Sequence, residues 1–207
     1  MSPVRVAVLI SGSGSNLQAI IDKIEKNEIN GELVVVISNK ENAYGLERAK
    51  NHNIEGLLID SKTVDHHEYN RLILSAVKER NIELVVLAGY LRILDKEFIE
   101  AYKDRIINIH PSLIPSFCGK GFYGLKVHQS AVEYGVKISG ATVHFVDEKA
   151  DNGPIILQKA ISLDFDDTAE SLQRKILAVE HELLPEAVKL FCEKKLKVIG
   201  RKVSICK

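Results

Sequence analysis

From Val4 to Ile10 every position is apolar except Arg5, and most of the residues are β-branched. Such a run predicts a strand buried on both faces, as strands are in a parallel sheet. Leu33–Ser38 and Gly56–Ile59 read as the second and third strands, and Leu84–Ala88 and Ile106–Ile109 as further buried ones. Between these runs the spacing shifts to that of amphipathic helices, from Leu17 to about Lys26, from Ala43 to Asn51 and from His66 to Arg80. In the last of these Tyr69, Leu72, Ile73, Ala76 and Val77 share one face. Strand and helix in alternation predict an α/β fold, a doubly wound and mostly parallel sheet with right-handed crossovers. Ligands in such sheets sit beyond the carboxyl ends of the strands.

After His110 the pattern changes. Residues 115–125 hold three glycines and three aromatics and cannot be regular structure. They form either a flap over a site or an insertion packed on the surface. Val127–Tyr134 reads as a helix. Ile138–Val146 and Pro154–Leu163 read as a hairpin, joined by Asp147-Glu-Lys-Ala-Asp-Asn-Gly153. A long helix starts at a capping-box-like Asp167-Thr-Ala-Glu170 and runs to about Lys195, with Pro185 predicting a kink. Leu196–Ile205, around Gly200, reads as a terminal hairpin. The expectation is a single domain over 1–207, with an antiparallel extension near the C-terminus.

Charge narrows the function. Lys plus Arg equal Asp plus Glu at 28 each, so no global field gathers nucleic acid. Cys118, Cys192 and Cys206 have neither metal-type nor framework spacing, which predicts free thiols in a cytoplasmic protein. No apolar run is long enough to span a membrane, and no spacing calls for a metal.

Four stretches carry candidate chemistry. Ser11-Gly-Ser-Gly-Ser-Asn16 lies between a strand and a helix, where backbone N–H groups meet an anion. Leu17 stands where a dinucleotide fingerprint wants a third Gly, and Ser38-Asn39 replaces an acidic ribose ligand. A single phosphate therefore fits better than a nicotinamide cofactor. Gly89-Tyr-Leu-Arg-Ile-Leu94 leaves the next buried strand and offers either helix-entry packing or an apolar wall for a flat heterocycle. Asn108 and His110, at i and i+2, project from one face of their strand. A lone Asn is usually a turn former and a lone His usually structural. Together they are two hydrogen-bond donors suited to an oxygen that gains negative charge. Asp151 joins them if its loop folds back, and would favour protonated His110. Glu180 and His181 interrupt the apolar stripe of the long helix. They pair with neighbours, or Glu180 reaches a ligand hydroxyl or ammonium.

Asn108-Ile-His-Pro-Ser-Leu-Ile-Pro115 closely resembles the signature of folate-dependent formyltransferases. The resemblance extends over nearly the whole chain, through Ser11–Gln18, Ser38–Lys40, Gly45–Arg48, Leu87–Leu94, Val143–Val146 and Asp151–Pro154, and is best with the members that act on glycinamide ribonucleotide. It implies a Rossmann-like formyltransferase fold, 10-formyltetrahydrofolate as donor and glycinamide ribonucleotide as acceptor in purine biosynthesis. Gly14, Ser15 and Asn16 would hold the acceptor phosphate and Glu180 would contact the same substrate. Leu91, Arg92, Ile93 and Leu94, with Asp147, Glu148, Lys149, Ala150 and Asp151, would form the folate pocket, and Asn108, His110 and Asp151 the catalytic trio. His66 stands where some relatives place a folate-contacting Arg. The implied state is a monomer or homodimer. The alternatives are a 10-formyltetrahydrofolate hydrolase or a formyltransferase with another acceptor.

Overall fold

A computed structural model describes residues 2–206. Its nine strands form one sheet. They are β1 (Val4–Ile10), β2 (Gly31–Ser38), β3 (Glu55–Leu58), β4 (Leu84–Leu87), β5 (Ile106–His110), β6 (Ile138–Phe145), β7 (Ile155–Ser162), β8 (Leu196–Ile199) and β9 (Lys202–Ile205). Their order across the sheet is β3-β2-β1-β4-β5-β6-β7-β9-β8. The first five are parallel, β6 and β7 run antiparallel, and the β8–β9 hairpin joins through a single parallel bridge between Ile155 and Lys202. The doubly wound sheet and its antiparallel extension are as the hydrophobic pattern predicts.

Period-two alternation sorts the strand side chains onto two cores. Val6, Val8, Ile10, Val86, Ile107 and Ile109 face α1 (Ser15–Glu25), α5 (Leu125–Tyr134) and α6 (Ala169–Cys192). Ala7, Leu9, Val85, Leu87 and Ile106 face α3 (His66–Glu79) and α4 (Lys96–Ala101). α4 is the helix that the packing alternative for Gly89–Leu94 would enter; it has only six residues, too few to display a helical period of its own. α2 (Tyr44–Asn51) adds Ala49 to the first core.

Two local expectations need correcting. The cap of α6 is Thr168, whose Oγ1 accepts from the Ser171 N–H while Ser171 Oγ accepts from the Thr168 N–H. Asp167 instead binds Ser171 and Lys175, and these partners bring its carboxyl down to about 2. The helix ends at Cys192 and runs through Pro185, which is buried. No helix among the described residues is long and apolar enough to cross a membrane.

The strand order reverses between β1 and β4, which opens a crevice at their carboxyl ends. Ser11 ties that crevice together: its hydroxyl donates to Asn39 Oδ1 at 2.6 Å and accepts from the Leu91 N–H at 2.9 Å.

Candidate active site

The crevice has two ends. The first is the turn after β1. Gly14 is the N-cap of α1, in the left-handed region at φ 69°, and gives the helix no side-chain cap. The first-turn N–H groups of α1 are therefore left for another acceptor, and no acidic residue lies in that turn. A Cβ on Gly14 would lie 2.7 Å from Gly45 Cα, so the turn closes on α2 only with glycine there. Arg48 holds the turn from α2, donating to Ser13 O at 2.9 Å and to Gln18 Oε1 at 3.1 Å. Asn16 is buried, and its Nδ2 donates to Glu180 Oε2 at 2.7 Å. Asn16 Oδ1 is buried without a partner. Burial raises the Glu180 carboxyl above its ordinary range, and the bond from Asn16 offsets part of that shift. This end thus offers N–H groups for an anion, with an amide and a carboxyl group beside them. A cavity of about 350 Å³, lined by Ser15, Gln18, Arg48 and His181 among others, adjoins the turn.

The second end is built on β5. Ile106, Asn108 and His110 share the sheet face that carries the α3 and α4 core. The face stays apolar at Ile106 and turns polar at its carboxyl end. Antiparallel pairing sets His144 opposite Asn108 and Thr142 opposite His110. Asp151 arrives from the β6–β7 loop in the left-handed region at φ 53°, which Asp tolerates better than most residues. A Cβ on Gly153 would lie 1.8 Å from Phe145 O; only glycine lets the loop fold back this tightly. Asp151 Oδ2 is then 3.4 Å from His110 Nδ1, and Oδ1 is 3.5 Å from Asn108 Nδ2. The trio expected from the sequence is brought together.

The flap closes over this end. His110 Nε2 is 2.9 Å from Phe117 O, and the Gly119 N–H donates to Asp151 Oδ2 at 2.8 Å. The flap base is anchored by Ser112 Oγ donating to Ser116 O and by Thr142 Oγ1 donating to Ser112 O, both at 2.6 Å. Both ring nitrogens of His110 thus face oxygen, Nε2 toward Phe117 O and Nδ1 toward Asp151 Oδ2. His128, on α5, is also buried, and its Nδ1 has no partner. Burial, with a smaller contribution from His110, lowers its ring to about 4.

The remaining predicted residues divide. Leu91 and Ile93 are exposed at the crevice, at 51% and 62%, whereas Leu94 is buried in the α3–α4 core. Arg92 lies over the Tyr69 ring with its Nε buried and unpartnered. Asp147 is occupied inside its own loop, accepting from the Lys149 N–H and from Asn152 Nδ2. Glu148, Lys149 and Ala150 are exposed, and Glu148 reaches Lys96 at 3.7 Å. His66 is exposed at the start of α3. Its carbonyl accepts from Asn70, whose Oδ1 accepts from the Asp95 N–H beside Leu94. Sequence reasoning missed His144, His128 and the flap backbone contacts. A period-two reading of Thr142 and His144 within an otherwise apolar strand could have flagged His144.

A doubly wound sheet that carries Asn108 and His110 at the end of its fifth strand, with Asp151 brought to them by the β6–β7 loop, defines a class, and the formyl transferase family model matches residues 4–188. The chain belongs to that family. Within it, the chain stands with the phosphoribosylglycinamide formyltransferases. The enzyme of that name from Escherichia coli is 38% identical over 196 residues, covering 94% of this chain and 90% of its own. The chloroplastic one from Arabidopsis thaliana is 37% identical, covering 93% of this chain and 67% of its own. The chain spans only 20% of the human trifunctional purine biosynthetic protein, to which it is 39% identical over 98% of its length. The crystal structure of glycinamide ribonucleotide transformylase 1 from Symbiobacterium toebii superposes with a TM-score of 0.94 at 43% identity, covering 100% of this chain and 95% of that one. A formyltetrahydrofolate deformylase from Pseudomonas syringae shares the fold at a TM-score of 0.91 and 27% identity, covering 99% of this chain and 66% of its own.

Proposed function

We propose that residues 1–207 form one domain that transfers the formyl group of 10-formyltetrahydrofolate to the glycinamide amine of N1-(5-phosphoribosyl)glycinamide. The acceptor phosphate takes the open N–H groups at Gly14, Ser15 and Asn16, and Glu180 takes a hydrogen bond from the same substrate. The folate heterocycle lies against Leu91 and Ile93 and is bounded by the 147–151 loop. The observation that carries this reading is the convergence of an amide, an imidazole and a carboxylate at one strand end, within 3.5 Å of one another through Asp151.

The free amine attacks the formyl carbon, forming a C–N bond and pushing the carbonyl electron pair onto oxygen. Asn108 Nδ2 and protonated His110 Nε2 donate to that oxyanion. His110 Nε2 must first exchange Phe117 O for the substrate oxygen. Collapse of the adduct breaks the bond to the folate nitrogen. A proton passes from the attacking amine to that nitrogen, with Asp151 as the relay and as the partner of the imidazolium. The 38% identity to the Escherichia coli enzyme over most of both chains supports this acceptor over water.

The test is folate release from 10-formyltetrahydrofolate, followed by absorbance with and without the ribonucleotide. Turnover should depend on the ribonucleotide, with formyl recovered on it. Release at the same rate without the acceptor would replace the transferase reading by the hydrolase one.

A further inference from the structure

We propose that His144 is a positioning residue for the transfer: as a neutral imidazole with its proton on Nδ1, it fixes which end of the Asn108 amide faces the formyl oxygen. The proposal rests on the transferase reading above and adds to it a residue outside the trio.

Three observations support it. The sheet register sets His144 directly opposite Asn108 across β5 and β6, which places their side chains in reach on one face. His144 is 2% exposed, and its Nδ1 lies 2.7 Å from Phe145 O. A carbonyl only accepts, so Nδ1 carries the proton. Nε2 of the neutral ring is then an acceptor, and it lies 3.1 Å from Asn108 Nδ2. Burial also favours the neutral ring over the charged one.

The consequence is directional. With Nε2 as an acceptor, the flipped amide would turn Asn108 Oδ1 toward a lone pair. Asp151 Oδ1, 3.9 Å from His144 Nε2 and 3.5 Å from Asn108 Nδ2, opposes the flip with a second negative oxygen. The amide is therefore held with one N–H on His144. The other N–H points toward Asp151, whose contact is long enough to yield it to a developing oxyanion. A protonated His144 would reverse the preference, offering an N–H where Asn108 now offers one. Asp151, His110 and Asp147 are the charged or titratable groups nearest the ring that bear on this balance.

The test combines a double-mutant cycle with a direct reading of the tautomer. His144→Leu should lower kcat by about tenfold to a hundredfold, the range for a misaimed donor, with both KM values within about twofold. His144→Gln, which puts an amide oxygen within reach of the Nε2 position, should recover most of that loss. In an Asn108→Ala background, His144→Leu should have almost no further effect, because the group it aims is gone. A merely structural His144 would show the same loss in both backgrounds, and that result would overturn the proposal. Long-range proton–nitrogen correlation on the wild-type protein reads the ring independently of any variant's folding, with His144 assigned by its absence from the His144→Gln spectrum. An Nδ1-protonated ring is expected, and an Nε2-protonated or doubly protonated ring would overturn the proposal. Acceptor-independent turnover by the wild type would refute the transferase reading and leave the tautomer measurement to judge His144 on its own.

Discussion

The two ends of the crevice are built by different means. The turn after β1 is local: six consecutive residues, Ser11–Asn16, make it, and a helix start supplies its donors. The end at β5 draws on residues far apart in sequence: Asn108, His144 and Asp151 meet only through strand register and a folded-back loop. The turn leaves its helix N-terminus uncapped, whereas the flap backbone already sits on His110 and Asp151. A local motif can be recognised and left ready for ligand, whereas a register-dependent one must be held in shape by its surroundings.

The largest effect should separate the ends by kinetic parameter. Asn108→Ala or His110→Ala should lower kcat by about a hundredfold to a thousandfold, the range for oxyanion and acid–base groups, with the acceptor KM nearly unchanged. Steady-state kinetics with each substrate varied would check this. Full activity in either variant would remove that residue from the mechanism, and an effect confined to the acceptor KM would erase the division between the ends.

Acid should also divide them. His128, buried on α5, has its ring lowered from 6.5 to about 4. Between those values the unfolded chain binds a proton that the folded one does not. Stability is therefore full above 6.5 and falls with pH through that window, by up to about 3 kcal/mol. Glu180 has the opposite sign, because its carboxyl is raised above 4.5 in the folded state. Its protonation contributes stability that is fully present below 4.5 and lost as pH rises through the raised value. Thermal unfolding across pH 4–7 should show a shallower acid loss for His128→Leu than for the wild type, and a steeper one for Glu180→Gln. Parallel profiles would show that neither group governs the acid response.

Legibility in the sequence followed the same division. The parallel strands were readable because β1, β2 and β4 are built on continuous apolar runs and each of the first three strands is followed by a helical period. The Ser11–Asn16 turn was readable because strand, turn and helix are contiguous. Asn108 and His110 stood out because their spacing matches the period of one strand. Thr142 and His144 share that spacing and mark a polar edge on β6, but the pairing that sets His144 against Asn108 lies in another strand, which no local pattern encodes. The flap contacts were invisible for a different reason: they use the backbone of Phe117 and Gly119, and any side chain carries that carbonyl and N–H. Of the two readings open for Gly89–Leu94, Leu94 takes helix-entry packing: it faces the core because the chain turns into α4 at the very next residue, Asp95, its N-cap.

At the acceptor end, Glu180→Gln keeps the shape and an oxygen for the bond from Asn16. It removes the charge that would strengthen a hydrogen bond from the ribonucleotide. The acceptor KM should rise about tenfold, the scale of a charge-assisted bond weakened to a neutral one, with kcat and the folate KM held. Isothermal titration with the ribonucleotide alone reads the same loss without turnover. A rise in the folate KM instead would place Glu180 with the other substrate.

The smallest effect tests whether the flap belongs to the transfer end or merely lies over it. Gly119 donates its N–H to Asp151 at 2.8 Å and sits at φ 83°. Gly119→Pro removes that N–H and cannot adopt that φ, so the flap loses its hold on the carboxylate. Two consequences oppose each other. The folate loses an ordered cover, which should raise its KM by about threefold, a fraction of the ordering that a closed loop supplies. His110 and Asp151 meanwhile lose flap contacts that the substrate must displace, so kcat should hold or rise slightly. The two parameters moving apart in this way would mark the flap as a competitor for the catalytic groups as well as a lid. A joint fall in kcat and rise in KM would mean that the flap shapes the trio. Unchanged kinetics would show that its contacts with His110 and Asp151 have no bearing on turnover.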